Sequence, residues 1–89
     1  MNLPTLTVAM ANYNHAQYLE KALSSILEQS LLPDELLIVD DGSTDQSKDI
    51  LREFARSYRI IRLLENESNR GAEYTYQCLL RESTHNRRY

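Results

Sequence analysis

The sequence predicts an α/β fold in which a parallel sheet lies between two layers of helices, a Rossmann-like α/β/α arrangement. Short apolar runs typical of strands alternate three times with longer segments whose apolar residues recur at helical spacing. The second run, Leu36–Val39, is four consecutive aliphatic residues, which favours a strand covered on both faces. Strict alternation of strand and helix produces parallel strands joined by right-handed crossovers.

Composition limits the chain to one small domain and excludes several classes of protein. The 89 residues are 42% hydrophobic and 26% charged, as in ordinary soluble domains, and the net charge of −3 argues against a general nucleic-acid binder. Cys78 is the only cysteine, so an internal disulfide and a cysteine-based zinc cluster are excluded. No apolar run approaches the ~20 residues of a membrane-spanning helix. We expect a cytoplasmic location, which in a full-length protein could be the cytoplasmic face of a membrane.

The first half of the chain predicts a strand, a helix and a second strand. Alternating and β-branched residues place the first strand at Leu6–Ala11. Asn14, with Gln17 three residues later, resembles a helix cap, and apolar spacing then predicts a helix over residues 15–29. Pro33 cannot continue that helix, and the buried strand 36–39 follows it.

The second half predicts two more helices around a third strand. Ser43 and Gln46 match a capping box at the start of the second helix. Its predicted buried face consists of Ile50, Leu51, Phe54, Ala55 and Tyr58. The third strand is predicted at Ile60–Leu64, and an exposed turn over residues 65–71 follows. The third helix is predicted to bury Ala72, Tyr76, Leu79 and Leu80 and to end within residues 83–86.

Polar residues follow all three strands, and the carboxyl ends of parallel strands lie at one edge of a sheet. These residues are Asn12-Tyr13-Asn14, Asp40-Asp41 and Arg70-Gly71. A carboxylate can accept hydrogen bonds from ribose or a base N–H, Tyr13 can pack on a base, and Arg70 can meet a phosphate. Ligands bind at this edge in open α/β sheets, so the set suits a nucleotide.

Each of these residues also has a structural explanation. Asp40 and Asp41 could cap the turn and the helix after them, Tyr13 could cover the edge of the core, and Arg70 could be an exposed charge. Adjacent strand residues point to opposite faces, so we expect one ligand carboxylate and one structural carboxylate rather than a catalytic pair. His15, without a second histidine beside it, is more typical of a solvated residue than of a metal ligand.

Missing motifs exclude other nucleotide enzymes. Gly42 and Gly71 are the only glycines, so the chain has no glycine-rich phosphate loop of the kind found in dehydrogenases and ATPases. It also has no Asp-x-Asp sequence and nothing that resembles a paired nucleophile and base. We therefore predict no metal ligand and no catalytic residue within it.

Three blocks of the sequence, in order and spacing, resemble the N-terminal part of family 2 glycosyltransferases. They are Val8–Asn14, Tyr18–Ser30 and Pro33–Asp45. Asn69-Arg70-Gly71 also resembles the loop after the third strand in that family. The resemblance therefore covers most of the chain.

The resemblance implies a GT-A fold and transfer of a sugar, with inversion, from a nucleotide-diphosphate sugar, foremost a UDP-sugar. The acceptor would be a glycan, a lipid or another hydroxyl compound, as in cell-wall or polysaccharide synthesis. The implied nucleotide-binding residues are Ala11, Asn12, Tyr13, Asp40, Asp41, Arg70 and Gly71. Residues 1–89 would be the nucleotide-binding half of the domain, truncated before the Asp-x-Asp strand. The full-length enzyme would use Mg²⁺ or Mn²⁺, and its metal ligands and catalytic base would lie beyond Tyr89.

The sequence departs from the family in ways that leave an alternative open. Ala11 stands where Thr or Pro is usual, and Glu73–Gln77 replaces a small-residue run that normally ends in Asn. The competing hypothesis is a non-catalytic nucleotide-binding or self-associating module that pairs a free sheet edge with itself or a partner. A signalling receiver domain fits less well, because its acidic pair would follow the first strand.

Overall fold

The computed structural model describes residues 6–86, in which three parallel strands alternate with three helices. In chain order the elements are β1 (Thr7–Asn12), α1 (Ala16–Leu27), β2 (Glu35–Asp41), α2 (Ser47–Ser57), β3 (Ile61–Asn66) and α3 (Ala72–Asn86). β2 lies in the middle of the sheet and pairs in parallel with both β1 and β3. The predicted fold class is confirmed, while residues 1–5 and 87–89 of the predicted domain lie outside the described residues.

The two faces of β2 pack against different helices, which produces the three layers. Alternate side chains of a strand point to opposite faces. One core lies on the side of α1 and α2 and consists of Leu19, Leu23, Leu36, Ile38, Leu51 and Ile61. The other lies on the side of α3 and consists of Leu37, Val39, Cys78 and Leu79. The aliphatic run of β2 is thus buried on both faces, as its composition predicts.

β2 and β3 each extend two residues further than their apolar runs. Asp40 lies opposite Glu65 in the ladder, and Asp41 lies opposite Asn66. Polar residues end an apolar pattern without ending a strand when a neighbouring strand supplies main-chain partners. The acidic pair therefore belongs to the sheet rather than to the turn after it.

The helix caps differ from the sequence prediction. Asn14 does not cap α1, because it adopts a positive φ of 56° and its Oδ1 accepts the Thr44 N–H at 2.8 Å. The Ala16 N–H at the start of α1 instead donates to Asp45 Oδ2 at 3.1 Å. The first helix is thus capped from the loop between β2 and α2.

The predicted capping box at α2 is also wrong. α2 begins at Ser47, whose N–H donates to Asp45 Oδ1 at 2.8 Å. Ser43 instead donates its hydroxyl to Asp40 Oδ1 at 2.7 Å. Asp45 therefore accepts hydrogen bonds from the first residues of two helices. These bonds hold the N-termini of α1 and α2 together at one end of the sheet.

The buried face of α3 differs in part from the prediction. Leu79 is buried as expected, but Tyr76 and Leu80 are 63% and 52% exposed. Thr75 and Cys78 are buried with Leu79, and this i, i+3, i+4 set defines the face that meets the sheet. Tyr58, predicted on the buried face of α2, follows the helix and is largely exposed. No helix within residues 6–86 is long and apolar enough to cross a bilayer.

Candidate functional site

A cavity of about 320 Å³ opens at the carboxyl ends of β1 and β2, beside the start of α3. It is lined by Ala11, Asn12, Tyr13, His15, Asp41, Asn69, Gly71, Ala72 and Thr75. Five of the seven residues implied by the family resemblance are among them, and Asp40 and Arg70 are not. The polar ends of the strands therefore meet in one crevice, and of the two carboxylates of β2 only Asp41 lines it.

Asp40 is fully buried on the side of α1 and α2, where it has a structural role. It accepts hydrogen bonds from Asn12 Nδ2 at 2.9 Å, from the Ser43 N–H at 2.9 Å and from the Ser43 hydroxyl. These contacts fix the end of β1 and the turn after β2. Asp40 thus caps the turn after β2, which is the structural explanation considered for it from the sequence.

Asp41 lies on the opposite face and holds the loop between β3 and α3. Its Oδ1 accepts Asn66 Nδ2 at 2.9 Å and the Arg70 N–H at 2.8 Å. Its Oδ2 accepts the Gly71 N–H at 3.0 Å. Only 4% of Asp41 is exposed, and that part faces the cavity. The same carboxylate thus shapes the cavity wall and lies in its floor.

Asp41 is ionised at neutral pH despite its burial. Burial by itself raises the pKa of the carboxyl, but hydrogen bonds from the Arg70 N–H, the Asn66 amide and the Gly71 N–H outweigh it and lower the pKa. The positive end of the α3 helix dipole lies beside the Asp41 carboxyl group and also favours its ionised form. A carboxylate with a lowered pKa is a poor proton acceptor and a good hydrogen-bond acceptor, so binding suits Asp41 better than acid–base chemistry.

Gly42 allows the two loops of the site to approach each other. It has a φ of +71°, and a Cβ atom there would lie 2.2 Å from the carbonyl carbon of Ser68. That distance leaves no room for a side chain. Asn69 follows Ser68, and its side-chain amide donates to the Asp41 carbonyl at 3.3 Å. Gly42 therefore fixes the distance between the loop after β2 and the loop after β3.

The rim of the cavity carries an aromatic ring, but no arginine. Tyr13 is 41% exposed and follows β1 at the opening, and His15 is also exposed there. The Arg70 guanidinium lies over the ring of Tyr74, 5.1 Å from its centroid, and is not part of the cavity lining. The expected convergence of the guanidinium on the crevice is therefore wrong in this structure, and Arg70 contributes to the site through its main-chain N–H.

Thr75 is a cavity residue that the sequence prediction missed. It lies in the first turn of α3, where its N–H donates to the Gly71 carbonyl at 3.1 Å, and it is 2% exposed. Its Oγ1 is inaccessible to solvent, and a hydrogen bond from this side chain is among the causes that lower the pKa of Asp41. Thr75 precedes Cys78 and Leu79 by three and four residues, a spacing that is compatible with a shared face but does not by itself select that face over the predicted one.

Among the side chains that the structure describes, those of residues 6–82, no three His, Cys, Asp or Glu groups cluster in a way that could hold a metal ion. The carboxylates of β2 point apart, and each has its own hydrogen-bond donors. The donor set of the described residues therefore does not fit a divalent cation. What the cavity offers is an anionic acceptor and an aromatic ring.

Residues 7–87 match the model of the family described as glycosyl transferase family 2. An uncharacterized glycosyltransferase of Haemophilus influenzae is 35% identical over 71 residues, which are 80% of this chain and 28% of that protein. The putative teichuronic acid biosynthesis glycosyltransferase TuaG of Bacillus subtilis is 38% identical over 69 residues, 78% of this chain and 27% of that protein. The chain thus spans little more than a quarter of the length of these relatives.

A solved structure has the same fold over most of the chain. It is the mannosyltransferase PcManGT from Pyrobaculum calidifontis in complex with GDP-Man and Mn²⁺, with a TM-score of 0.77 and 30% sequence identity. The match covers 92% of this chain and 25% of the mannosyltransferase.

Proposed function

This chain belongs to glycosyl transferase family 2, and we propose that it supplies the nucleotide-binding part of an enzyme that transfers a sugar from a nucleotide-diphosphate sugar to an acceptor. The observation that carries the proposal is the cavity at the ends of β1 and β2, with ionised Asp41 in its floor and Tyr13 at its rim. Ligands of open α/β sheets bind at this edge. The alternative of a non-catalytic module is not favoured, since these relatives are named glycosyltransferases.

The lining of the cavity suits a nucleoside. The ring of Tyr13 can stack on a base, and the Asp41 carboxylate can accept a hydrogen bond from a base N–H or a ribose hydroxyl. The cavity volume of about 320 Å³ is at the lower end of the range for small-molecule sites, about 300–1,000 Å³. We assign nucleotide contacts to Ala11, Asn12, Tyr13, Asp41 and Gly71, with Asp40 and the Arg70 N–H in supporting roles.

The remaining parts of the reaction are assigned to other parts of the enzyme. The mannosyltransferase structure contains Mn²⁺, and we propose that an enzyme containing this chain uses a divalent cation. The described side chains of residues 6–82 provide no ligand set for this cation. The acceptor site and the catalytic base are likewise proposed to lie outside these residues.

Isothermal titration of the chain with UDP, GDP, ADP and CDP tests the proposal. Circular dichroism is used first to establish that each sample is folded. We expect saturable binding of UDP or GDP, the sequence resemblance favouring the first and the mannosyltransferase complex the second. Asp41→Ala and Tyr13→Ala should each weaken binding, whereas Asp49→Ala, an exposed acid of α2, should not. Absence of binding by the folded chain, or equal binding by all variants, would contradict the proposal.

A further inference from the structure

We propose that Asn14 is a positioning residue for nucleotide binding. It ties the loop after β1 to the loop after β2 and thereby holds the ring of Tyr13 at the rim of the cavity. The inference rests on the proposed nucleotide binding and adds a residue that acts through another, because Asn14 is not part of the cavity lining.

The ring of Tyr13 is not held in place by polar or stacking contacts of its own. Tyr13 lines the cavity and is exposed at its rim. Among the described residues, its hydroxyl has no hydrogen-bond partner and its ring stacks on no other ring. The direction in which the ring points therefore depends on the main chain on either side of it.

The sheet fixes the main chain before Tyr13. Asn12, the last residue of β1, is buried and lies opposite Asp40 in the parallel ladder. Its Nδ2 donates to Asp40 Oδ1 at 2.9 Å and to Ser43 Oγ at 3.3 Å. The chain therefore enters Tyr13 from a fixed point at the end of the strand.

Asn14 fixes the main chain after Tyr13. Its N–H donates to Ser43 Oγ at 3.0 Å, and its Oδ1 accepts the N–H groups of Thr44 at 2.8 Å and of Asp45 at 3.3 Å. Its Nδ2 donates to Thr44 Oγ1 at 3.4 Å. The residues on both sides of Tyr13 are thus bonded to the loop after β2, while the ring between them lines the cavity.

Asparagine combines the backbone geometry and the side-chain bonds that this position needs. Its φ of 56° is in the left-handed region, which glycine adopts freely and asparagine and aspartate tolerate better than most other residues. Glycine would adopt the same φ but would lose every side-chain bond to Thr44 and Asp45. Aspartate would keep the oxygen that accepts their N–H groups. These two residue types can therefore separate the backbone requirement from the side-chain requirement.

A ring that is held in place before the ligand arrives binds a base more tightly. Ordering a side chain and its loop at the moment of binding costs free energy, and a loop that is already ordered avoids that cost. Asn14 is itself exposed, so its bonds compete with water and contribute little to global stability. Loss of the Asn14 side chain should therefore reduce nucleotide affinity more clearly than it reduces the Tm.

The test is a double-mutant cycle between Asn14 and Tyr13, measured by titration calorimetry with UDP and with GDP. The variants are Asn14→Gly, Asn14→Asp, Tyr13→Ala and the double variant Tyr13→Ala/Asn14→Gly. Asp34→Ala is the matched control, because Asp34 Oδ2 accepts the Leu6 N–H at 2.7 Å and so joins β1 to β2 at the end of the sheet away from the cavity. Thermal unfolding of each variant reports on stability.

We expect Asn14→Gly to weaken binding about fivefold, which corresponds to ordering one side chain on binding. Asn14→Asp should bind within about twofold of wild type in about 0.15 M salt, which screens the added charge. In the Tyr13→Ala background, Asn14→Gly should have no further effect, because the ring that Asn14 positions is absent. Asp34→Ala should bind as wild type does.

A second measurement on the free wild type needs no variant. Relaxation of ¹⁵N nuclei should give the Tyr13 amide an order parameter of about 0.85, typical of rigid backbone. A value below about 0.6 would show that the loop is mobile before the nucleotide binds and would overturn the inference.

Other outcomes overturn the inference in distinguishable ways. If Asn14→Gly binds normally while Tyr13→Ala does not, the nucleotide site stands and the role of Asn14 is wrong. Additive losses in the double variant would show that Asn14 acts independently of the ring. Equal losses in the Gly and Asp variants, or in Asp34→Ala, would show that the side-chain bonds of Asn14 are not the cause. Failure of the folded wild type to bind any nucleotide would overturn the proposed function, and this inference with it.

Discussion

The carboxylate of Asp41 and the main-chain N–H of Gly71 are joined by a 3.0 Å hydrogen bond that ties the end of β2 to the start of α3. The Arg70 N–H donates to the same carboxylate at 2.8 Å. The loop that forms one wall of the cavity is therefore held by the residue that lies in the cavity floor. Stability and ligand binding should consequently respond together when Asp41 is changed.

Asp41→Asn should destabilise the fold. An amide keeps the size of the side chain, but it loses the charge and turns an NH₂ group toward main-chain donors. We expect the free energy of unfolding to fall by about 2 kcal/mol, as for hydrogen bonds to a buried charged group. Urea denaturation at neutral pH measures this, with Asp49→Asn as the exposed control. Equal stability of the two variants would show that the Asp41 carboxylate does not hold the loop.

The stabilisation by Asp41 should be lost in acid. Its pKa in the folded state is lowered below the ordinary value of 3.8, so the unfolded state takes up a proton first as the pH falls. The contribution is therefore complete above 3.8 and decreases as the pH falls from there through the folded-state pKa. Hydrogen bonds from Ser47 and Ala16 lower the pKa of Asp45 as well, so part of the acid sensitivity persists in Asp41→Asn.

Thermal unfolding of wild type and Asp41→Asn between about pH 7 and about pH 2 tests whether the stabilisation by Asp41 is lost in acid. The difference between their Tm values should be largest near neutral pH and should shrink in the acid range. A difference that grows on acidification would mean that the pKa of Asp41 is raised in the folded state.

Gly42→Ala should cost far more stability than Gly71→Ala. Both glycines have positive φ, but a Cβ atom at Gly42 would lie 2.2 Å from the Ser68 carbonyl carbon, whereas nothing lies within 4 Å of one at Gly71. We expect a loss of about 3 kcal/mol at Gly42, from overpacking and backbone strain together, and about 1–2 kcal/mol at Gly71 from strain alone. Urea denaturation compares the two, and equal losses would show that the loops can move apart.

Tyr13→Ala should weaken nucleotide binding about tenfold, because stacking of an aromatic ring on a base contributes roughly 1–3 kcal/mol. Tyr13→Phe should retain most of the affinity, since the face of the ring remains. Tyr76→Ala is the control, because Tyr76 is an exposed aromatic residue outside the cavity lining. Titration calorimetry distinguishes them, and a similar loss in Tyr13→Ala and Tyr76→Ala would indicate a non-specific effect.

The fold could be predicted because its main signals are local. The aliphatic run of Leu36–Val39 lies between two segments whose apolar residues recur at helical spacing. This pattern predicts a parallel strand that is covered by helices on both faces. The position of Tyr13 and Asp41 at one edge then follows from parallel topology. Asp40 and Asp41 could be separated by the alternation of strand side chains.

The parts that could not be predicted depend on contacts distant in sequence. Asp45 caps α1 from another loop, and no local pattern reveals a cap 29 residues away. The apolar residues of α3 allow two buried faces, and only packing against the sheet selects the one that contains Thr75. The guanidinium of Arg70 could reach the crevice or Tyr74, and the structure places it over Tyr74.

Amide chemical-shift mapping by NMR during titration with UDP and with GDP tests the central claim most directly. We predict saturable shifts, with at least one of the two nucleotides, that cluster at the cavity lining, foremost at Asn12, Asp41, Gly71 and Thr75. The groove between α1 and α2, lined by Glu20, Asp49 and Glu53 among others, should remain unperturbed. Shifts centred on that groove, or none in the folded protein, would contradict the assignment of the β1–β2 edge as the nucleotide site.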